Sequence, residues 1–447
     1  MSRHKHAMKL LPPQILDVVD LSHEAQGIAR LEGRAVFIDG ALPGETVEVQ
    51  LLQRRKGVQE ARLVQIIKPS PDRVEPRCRH YSLCGGCAEQ HLATDKQLAV
   101  KQTQLLENMA RIGKVEVPVV LPPLQADVWN YRRRARLGAR WVPQKNRTLV
   151  GFRERSNSKL ADIRRCEVLR EPLSSLIEPL SLLLGSLSVR DRVPQVEAAV
   201  ADNITALVIR ILDDLTEADR IALHAFRVQH GVQIYLQREG YDSIAPLHPD
   251  SVQPLIYTLP QFKLEFEFLP NDFIQVNGAL NQQMVALALQ LLAVNSQDVV
   301  LDLFCGLGNF SLPLAQQAAQ VLGIEGEATL VERARDNARR NGLSNVEFMM
   351  ANLFEEHKDS PFAKRRFNKV LLDPPRAGAR EILPVIANCG AKCDAQRVVY
   401  ISCHPGSLAR DAGILVHELG YTLKSAGVLD MFPHTAHVES VAVFERN

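Results

Sequence analysis

No stretch of this sequence is apolar for long enough to cross a bilayer. The most apolar one, at 181–189, is short and interrupted by serine and glycine, whereas a spanning helix needs about twenty apolar residues. The opening MSRHKHAMKLLPPQILDVV is basic but has no continuous apolar core of the secretory type. A cytoplasmic location without membrane attachment is the expectation. An excess of one charge is lacking too. Against 53 Lys and Arg stand 51 Asp and Glu, a formal net charge of +2, so the total points to no partner. No internal repeat or low-complexity tract is present, which sets aside repeat architectures. What remains is an ordinary globular composition, 46% apolar and 23% charged, on 447 residues, enough for two or three cores. Eight cysteines in a reducing compartment read as metal ligands, catalytic thiols or core residues rather than disulfides.

The distribution of charge says more than its sum. Residues 129–170 carry thirteen Lys and Arg against three Asp and Glu, whereas 271–447 carry sixteen against nineteen. A basic block beside a slightly acidic body suggests a polyanion-docking face on a catalytic domain, with Arg132, Arg133 and Arg134 as candidate phosphate contacts; a solvated basic loop is the alternative.

Three regions follow from the pattern along the chain, at 11–69, 70–268 and 269–447. In the first, Gln14-Ile-Leu-Asp-Val-Val, Gly27-Ile-Ala-Arg-Leu, Arg34-Ala-Val-Phe-Ile, Thr46-Val-Glu-Val-Gln-Leu-Leu and Glu60-Ala-Arg-Leu-Val-Gln-Ile-Ile are separated by Asp-Gly, Pro-Gly and Lys-Gly turns. Five short strands predict a small OB-like β-barrel, a frequent oligonucleotide binder, with Arg54-Arg55-Lys56 as a basic tip. The second region opens on a cysteine cluster and a helical stretch, Thr94 to Ile112, and continues as a mixed α/β segment. The third alternates helix and strand, the signature of a parallel sheet covered on both faces.

Five strands of this last region end in polar or special residues. Val299-Val-Leu-Asp-Leu-Phe304 runs into Cys305-Gly-Leu-Gly-Asn309 and a helical segment; Gly306 and Gly308 allow a tight turn and close backbone approach of a ligand. A third dinucleotide-type glycine would fall at 311, where serine stands, which weakens a nicotinamide reading. Strand 321–324 ends in Glu325, suited to ribose hydroxyls, and strand 346–351 in Asn352, suited to an adenine edge. Strand 369–372 ends in Asp373-Pro-Pro-Arg376, and strand 397–402 in Cys403-His-Pro. All lie at the carboxyl edge where open α/β sheets bind ligands. Asp302-x-x-x-Gly306-x-Gly308 resembles the pattern of S-adenosylmethionine methyltransferases.

The missing residues narrow the chemistry. Amino-methylating enzymes place an aromatic after the two prolines, and here Arg376 stands there. The Pro-Cys pair of cytosine-C5 enzymes is absent from that strand, and the cysteine follows the fifth strand instead. Carbon C5 of uracil is a weak nucleophile; a thiolate adding to C6 makes C5 an enolate carbon, and loss of the C5 proton later expels the enzyme. Such a reaction requires one thiol and one base. Cys403 is the candidate thiol. For the base, Glu439 in His434-Thr-Ala-His437-Val-Glu439-Ser is the candidate; the sequence leaves open an exposed loop carboxylate there, or a metal site of His434, His437 and Glu439.

Phe273-Ile-Gln275-Val-Asn277, Asp302 to Asn309, Asp373-Pro-Pro-Arg376, Ser402-Cys403-x-Pro405 and His437-Val-Glu439-Ser together resemble, in order, the bacterial uracil-C5 RNA methyltransferase family. The resemblance implies a Rossmann-like catalytic domain that binds S-adenosyl-L-methionine. It places Gln275, Phe304, Gly306, Gly308, Asn309, Glu325, Asn352 and Asp373 in the cofactor and target-base pocket, Cys403 as nucleophile and Glu439 as base. One departure is visible: the family usually has Asn after the nucleophile, where this chain has His404.

Cys78-x5-Cys84-x2-Cys87 and a distant Cys166 suit a tetrahedral all-thiolate site, zinc or iron–sulfur, and spacing does not choose between them. The Cys-x3-Cys-x2-Cys loop of radical enzymes is absent. The resemblance implies the choice: the 23S ribosomal-RNA branch of the family holds a [4Fe–4S] cluster on four such cysteines and carries an N-terminal TRAM domain, whereas the tRNA branch lacks both. The expected partner is therefore 23S ribosomal RNA, and the expected state a monomer with no obligate protein partner. The rivals are a tRNA uracil-C5 methyltransferase, a nicotinamide-linked oxidoreductase, and a non-catalytic iron–sulfur RNA-binding protein.

Overall fold

The computed structural model describes residues 12–52, 57–155, 157–355, 360–388 and 395–446; the basic tip Arg54-Arg55-Lys56 lies outside them. Two compact units are resolved, one of Met1–Ser82, Gly86–Lys101 and Pro433–Ala436, the other of Leu83–Gly85, Gln102–Phe432 and His437–Asn447.

In the first unit β1 (Gln14–Leu21), β2 (Gly27–Leu31), β3 (Arg34–Asp39), β4 (Thr46–Leu51) and β5 (Gln59–Lys68) close into a barrel of order β1-β2-β3-β5-β4. Period-two alternation sends Leu16, Val18, Val36, Ile38, Val47 and Val49 inward. Glu45 is buried at the barrel end, and there it accepts hydrogen bonds from Arg73 and from the Leu42 and Ser70 backbone N–H groups. Helix α1 (Thr94–Asn108) continues into a π-turn at Met109–Gly113, so the expected helix at 94–112 forms with a wider last turn.

In the second unit β6 (Arg134–Val142), β7 (Arg147–Gly151), α2 (Leu173–Ser186), β8 (Gln195–Val200), β9 (Thr205–Arg210), α3 (Glu217–His230), β10 (Val232–Gln237) and β11 (Ala245–Pro246) build a sheet of order β11-β10-β9-β8-β6-β7. A hairpin of β12 (Leu255–Leu259) and β13 (Leu264–Phe268) follows. Strands β6 and β7 take up part of the basic block at 129–170, and Arg133 and Arg134 are engaged by protein acceptors, which corrects the reading of these two as phosphate contacts. Arg133 is 4% exposed and pairs with Asp202, also donating to the Val200 carbonyl at 3.1 Å. Arg134 donates to the carbonyls of Asp272 and Pro270, and Arg132 to that of Arg134. Arg136, Lys145, Arg147, Arg165 and Arg170 face carboxylates as well. Charge counting could not see this, because the partners Asp202, Glu197 and Glu178 come from outside the block. Arg133→Ala is accordingly expected to destabilise the protein by about 3–5 kcal/mol, the scale for breaking a buried pair, and to leave the salt dependence of RNA binding unchanged. Chemical denaturation and a salt titration check the two halves separately.

The catalytic-type sheet uses α4 (Gly278–Leu292), β14 (Val299–Leu303), α5 (Ser311–Ala315), β15 (Gln320–Glu325), α6 (Ala328–Arg340), β16 (Val346–Met350), β17 (Lys369–Leu372), α7 (Leu383–Asn388), β18 (Arg397–Ser402), α8 (Pro405–His417), β19 (Thr422–Leu429) and β20 (Glu439–Glu445). Among the described residues its order is β16-β15-β14-β17-β18-β20-β19, parallel up to β18 and then antiparallel through β20. Successive residues of the central strands enter opposite cores: Val300, Leu371 and Val399 one, Leu301, Leu372 and Val398 the other. Burial on both faces explains why these strands read as continuous apolar runs. Strand β19, Thr-Leu-Lys-Ser-Ala-Gly-Val-Leu, has neither such a run nor an alternation and was not foreseen in the sequence. Its outer edge is covered by the 119–124 segment, through backbone hydrogen bonds from Leu121 to Ala426 and Leu124 to Val428. No helix among the described residues is long and apolar enough to cross a membrane.

Candidate active site

The carboxyl edge of this sheet collects the expected residues. Phe304 follows β14, Glu325 closes β15, Asn352 lies past β16, Asp373 past β17 and Cys403 past β18. Because β20 runs antiparallel, its first residue, Glu439, comes to the same edge.

The loop after β14 is shaped by three residues with positive φ: Phe304 at 63°, Gly306 at 54° and Gly308 at 91°. Open space surrounds Gly306, while a Cβ at Gly308 would collide with Leu312; one glycine leaves room for a ligand, the other for packing. A left-handed phenylalanine is strained and persists only where its surroundings enforce it; its ring lies 5.8 Å from that of Phe354. The helix after the loop, α5, spans Ser311–Ala315 only, so the ligand approach rests on loop backbone rather than on a long helix dipole. Ser311, notable in the sequence as a missing glycine, donates its hydroxyl to the buried Asp302 carboxylate. Burial pushes the Asp302 carboxyl up to about 7, the Ser311 bond opposing and the charges of Asp373 and Glu325 adding. Its second oxygen is buried without a hydrogen-bond partner.

Glu325 accepts from the N–H groups of Gly306 at 3.0 Å and Gly326 at 2.7 Å, tying β15 to the loop. Asn352 donates to Glu355 at 2.7 Å. Asn309 is held by α4: its amide exchanges two hydrogen bonds with that of Asn281, at 2.9 and 3.0 Å, and Tyr257 donates to it at 3.2 Å. Asn281 and Tyr257 belong to the site's support, and no motif marks them, since they lie in an apolar helix and a hairpin. Gln275 donates to Asp373 at 3.4 Å.

Cys403 and Glu439 are brought together by register. Ser402 on β18 stands opposite Ser440 on β20, and continuing by one residue sets Cys403 against Glu439, on one face of the sheet as cross-strand partners are. Glu439 is 4% exposed, which corrects the exposed-loop alternative. Burial, then the charge of Asp373, pushes its carboxyl well above the usual carboxylate range. Burial alone raises Asp373 to about 7. The Cys403 thiol, half-buried, is pushed up to about 11 by burial and by Glu439 and Asp373, with Arg376 opposing. A thiol titrating there is ionised in about one molecule in a thousand at pH 8. Alkylation of Cys403 by iodoacetamide in the RNA-free protein, located by peptide mass spectrometry, should therefore climb about tenfold per pH unit between 8 and 10. A plateau near pH 8.5 would mean an ordinary thiol.

His404, the departure from the family pattern, caps α8: its Nδ1 accepts the Ser407 N–H at 3.1 Å. An Asn side chain does the same at helix N-termini, so the local hydrogen bonding is kept. Among the described residues no group of three or more His, Cys, Asp or Glu side chains could hold a metal ion. Cys78 and Cys87 belong to the first unit, Cys84 and Cys166 to the second.

The model of tRNA (uracil-5-)-methyltransferases matches residues 93–447. The chain belongs to that family. A TRAM domain matches residues 14–64, the five-stranded barrel. Two relatives are each 50% identical: a 23S rRNA (uracil(1939)-C(5))-methyltransferase RlmD from Methylococcus capsulatus, over 99% of this chain and all of that one, and one of the same name from Xylella fastidiosa, over 96% of both. Among solved structures, the Pyrococcus abyssi tRNA (uracil-54, C5)-methyltransferase in complex with S-adenosyl-L-homocysteine superposes with a TM-score of 0.73 at 25% identity, over 96% of this chain and all of that one. Membership in this methyltransferase family sets aside the nicotinamide-linked oxidoreductase.

Proposed function

We propose that this protein methylates C5 of a uracil in 23S ribosomal RNA, with S-adenosyl-L-methionine as methyl donor and Cys403 as covalent nucleophile. The observation that carries the reading is the juxtaposition of a half-buried thiol and a buried carboxyl, Cys403 and Glu439, across one antiparallel pair at the ligand-binding edge of the sheet. The ribosomal rather than transfer-RNA substrate is supported by the two relatives at 50% identity over nearly the whole chain, against 25% for the tRNA enzyme. When bound, the cofactor supplies the electrophilic methyl group.

The protein's own residues do the rest. Gln275 and Asp373, hydrogen-bonded to each other, offer an amide and a carboxyl to the polar edge of the pyrimidine. The Cys403 thiolate adds to C6, and the resulting enolate makes C5 nucleophilic. An ionised Glu439 would oppose the thiolate, and this coupling is mutual. Glu439 is thus neutral at the moment of attack; once the sulfur is a thioether it releases its proton to solvent, and the carboxylate so formed takes the C5 proton. Departure of Cys403 then restores the aromatic ring. Incubation with tritiated S-adenosylmethionine and total RNA from a strain lacking this gene should label 23S RNA at 5-methyluridine; label confined to tRNA would refute the substrate.

A [4Fe–4S] cluster on Cys78, Cys84, Cys87 and Cys166 belongs to the same reading. Its support is the donor set, four thiols with three of them within ten residues, together with the family resemblance. Anaerobically purified protein should be brown, with roughly four iron and four sulfide per chain; zinc without iron would contradict it.

A further inference from the structure

We propose that Asp411 and Arg410 on α8 are positioning residues that hold the Pro375–Ala379 loop, and with it Arg376, at the sheet edge where β17 and its parallel neighbour β18 also bring Cys403. This rests on the reading of Cys403 as nucleophile.

Asp411 is fully buried and carries more hydrogen bonds than a helix-surface carboxylate finds. Its Oδ2 accepts from Tyr400 Oη at 2.6 Å and from the Ala379 N–H at 2.8 Å. Its Oδ1 accepts from Arg410 Nε at 2.8 Å, and Arg410 Nη2 donates onward to the Ala377 carbonyl, also at 2.8 Å. Ala377 and Ala379 flank Gly378, which has φ of 84° and closes a turn by donating to the Pro375 carbonyl at 2.9 Å. A Cβ at Gly378 would collide with both the Arg410 guanidinium and Asp411 Oδ2. The loop backbone is therefore strapped onto α8 at two points, the Ala377 carbonyl and the Ala379 N–H, and only glycine fits beneath the strap.

That strap has a consequence for chemistry because of what hangs from its two ends. Cys403 precedes α8 by one residue, His404, so α8 sets the nucleophile. Arg376 sits inside the strapped loop and donates to His437 Nδ1 at 2.9 Å. The charged groups that act on the thiol come from three elements: Glu439 at the start of β20 and Asp373 past β17 oppose its ionisation, and Arg376 favours it. An exposed arginine on a loose loop would spread its charge over many positions; one helix holding both partners fixes the distance. A buried carboxylate is costly to maintain for stability alone, and a positional duty gives it a reason.

The experiment compares the pH profile of Cys403 alkylation in RNA-free protein for the wild type, Asp411→Asn, Arg376→Gln and the double variant. Asparagine retains an acceptor for Tyr400 and Ala379 but lacks the charge that holds Arg410. Asp411→Asn should slow alkylation at pH 8 by about three- to tenfold, a shift of half to one pH unit, and Arg376→Gln should do the same. The double variant should be no slower than Arg376→Gln alone, because both act through one cation. A merely structural role would change the melting temperature and leave the profile in place. Should Asp411→Asn not fold, Arg410→Met, whose side chain is 37% exposed, gives the same readout. An unshifted profile, or effects that multiply in the double variant, would overturn the proposal. Failure of the nucleophile assignment is separately visible, as absence of an adduct between the wild type and RNA carrying 5-fluorouridine.

Discussion

Cys403→Ser should lose methyl transfer by more than about 10⁴-fold, the scale on which removal of a covalent nucleophile acts, while RNA affinity stays within about twofold. The hydroxyl fits the same half-buried place, so packing is preserved. Its ionisation is harder still than that of the thiol, which burial and the Glu439 and Asp373 carboxyls already push up to about 11. Affinity is retained because phosphate contacts and entry of the flipped base do not involve the sulfur. Single-turnover methyl transfer and filter binding, measured on one preparation, test the pair of statements. Residual transfer within tenfold of wild type would assign the nucleophile elsewhere.

Glu439→Gln should behave in the opposite way: it should accumulate what Cys403→Ser cannot form. The amide has the volume of the carboxyl and keeps the buried position at the start of β20, yet it cannot accept a proton. Attack at C6 and methyl transfer proceed, and the reaction stalls with the methylated pyrimidine still bonded to Cys403. Turnover should fall by about 10²–10⁴-fold, the usual contribution of a general base. A protein–RNA band carrying tritium from the methyl donor should survive denaturing electrophoresis. Normal turnover by Glu439→Gln would move the base to another group, His437 being the neighbour through Arg376.

The sequence was most legible where one physical rule dominates. Barrel strands alternate because one face is buried, and β14, β15, β17 and β18 are mostly apolar, Asp302 in β14 excepted, because both faces are. The polar residues at their ends, Glu325, Asp373 and Cys403, stand where topology requires a ligand edge. Legibility failed where the partner is distant in sequence. Nothing in the local pattern says that Arg133 meets Asp202 or that Asn309 is locked by Asn281, and so a basic stretch was read as a docking face. Asp411 was invisible for the same reason: in α8 it is one charge in an amphipathic helix, and only the fold brings Tyr400, Ala379 and Arg410 to it. The pairing of Cys403 with Glu439 lies between these cases. Both residue types could be named from the chemistry of uracil, but their meeting depends on the reversed strand β20, and so on β19, which was not foreseen.

The most direct measurement is mass spectrometry of wild-type protein incubated with S-adenosylmethionine and 23S RNA carrying 5-fluorouridine. Fluorine at C5 leaves no proton for Glu439 to remove, so the covalent species should be trapped after methyl transfer. The account predicts one crosslinked peptide, containing Cys403 joined to a nucleotide that bears both fluorine and a methyl group. No crosslink, or a crosslink through a different residue, would contradict it.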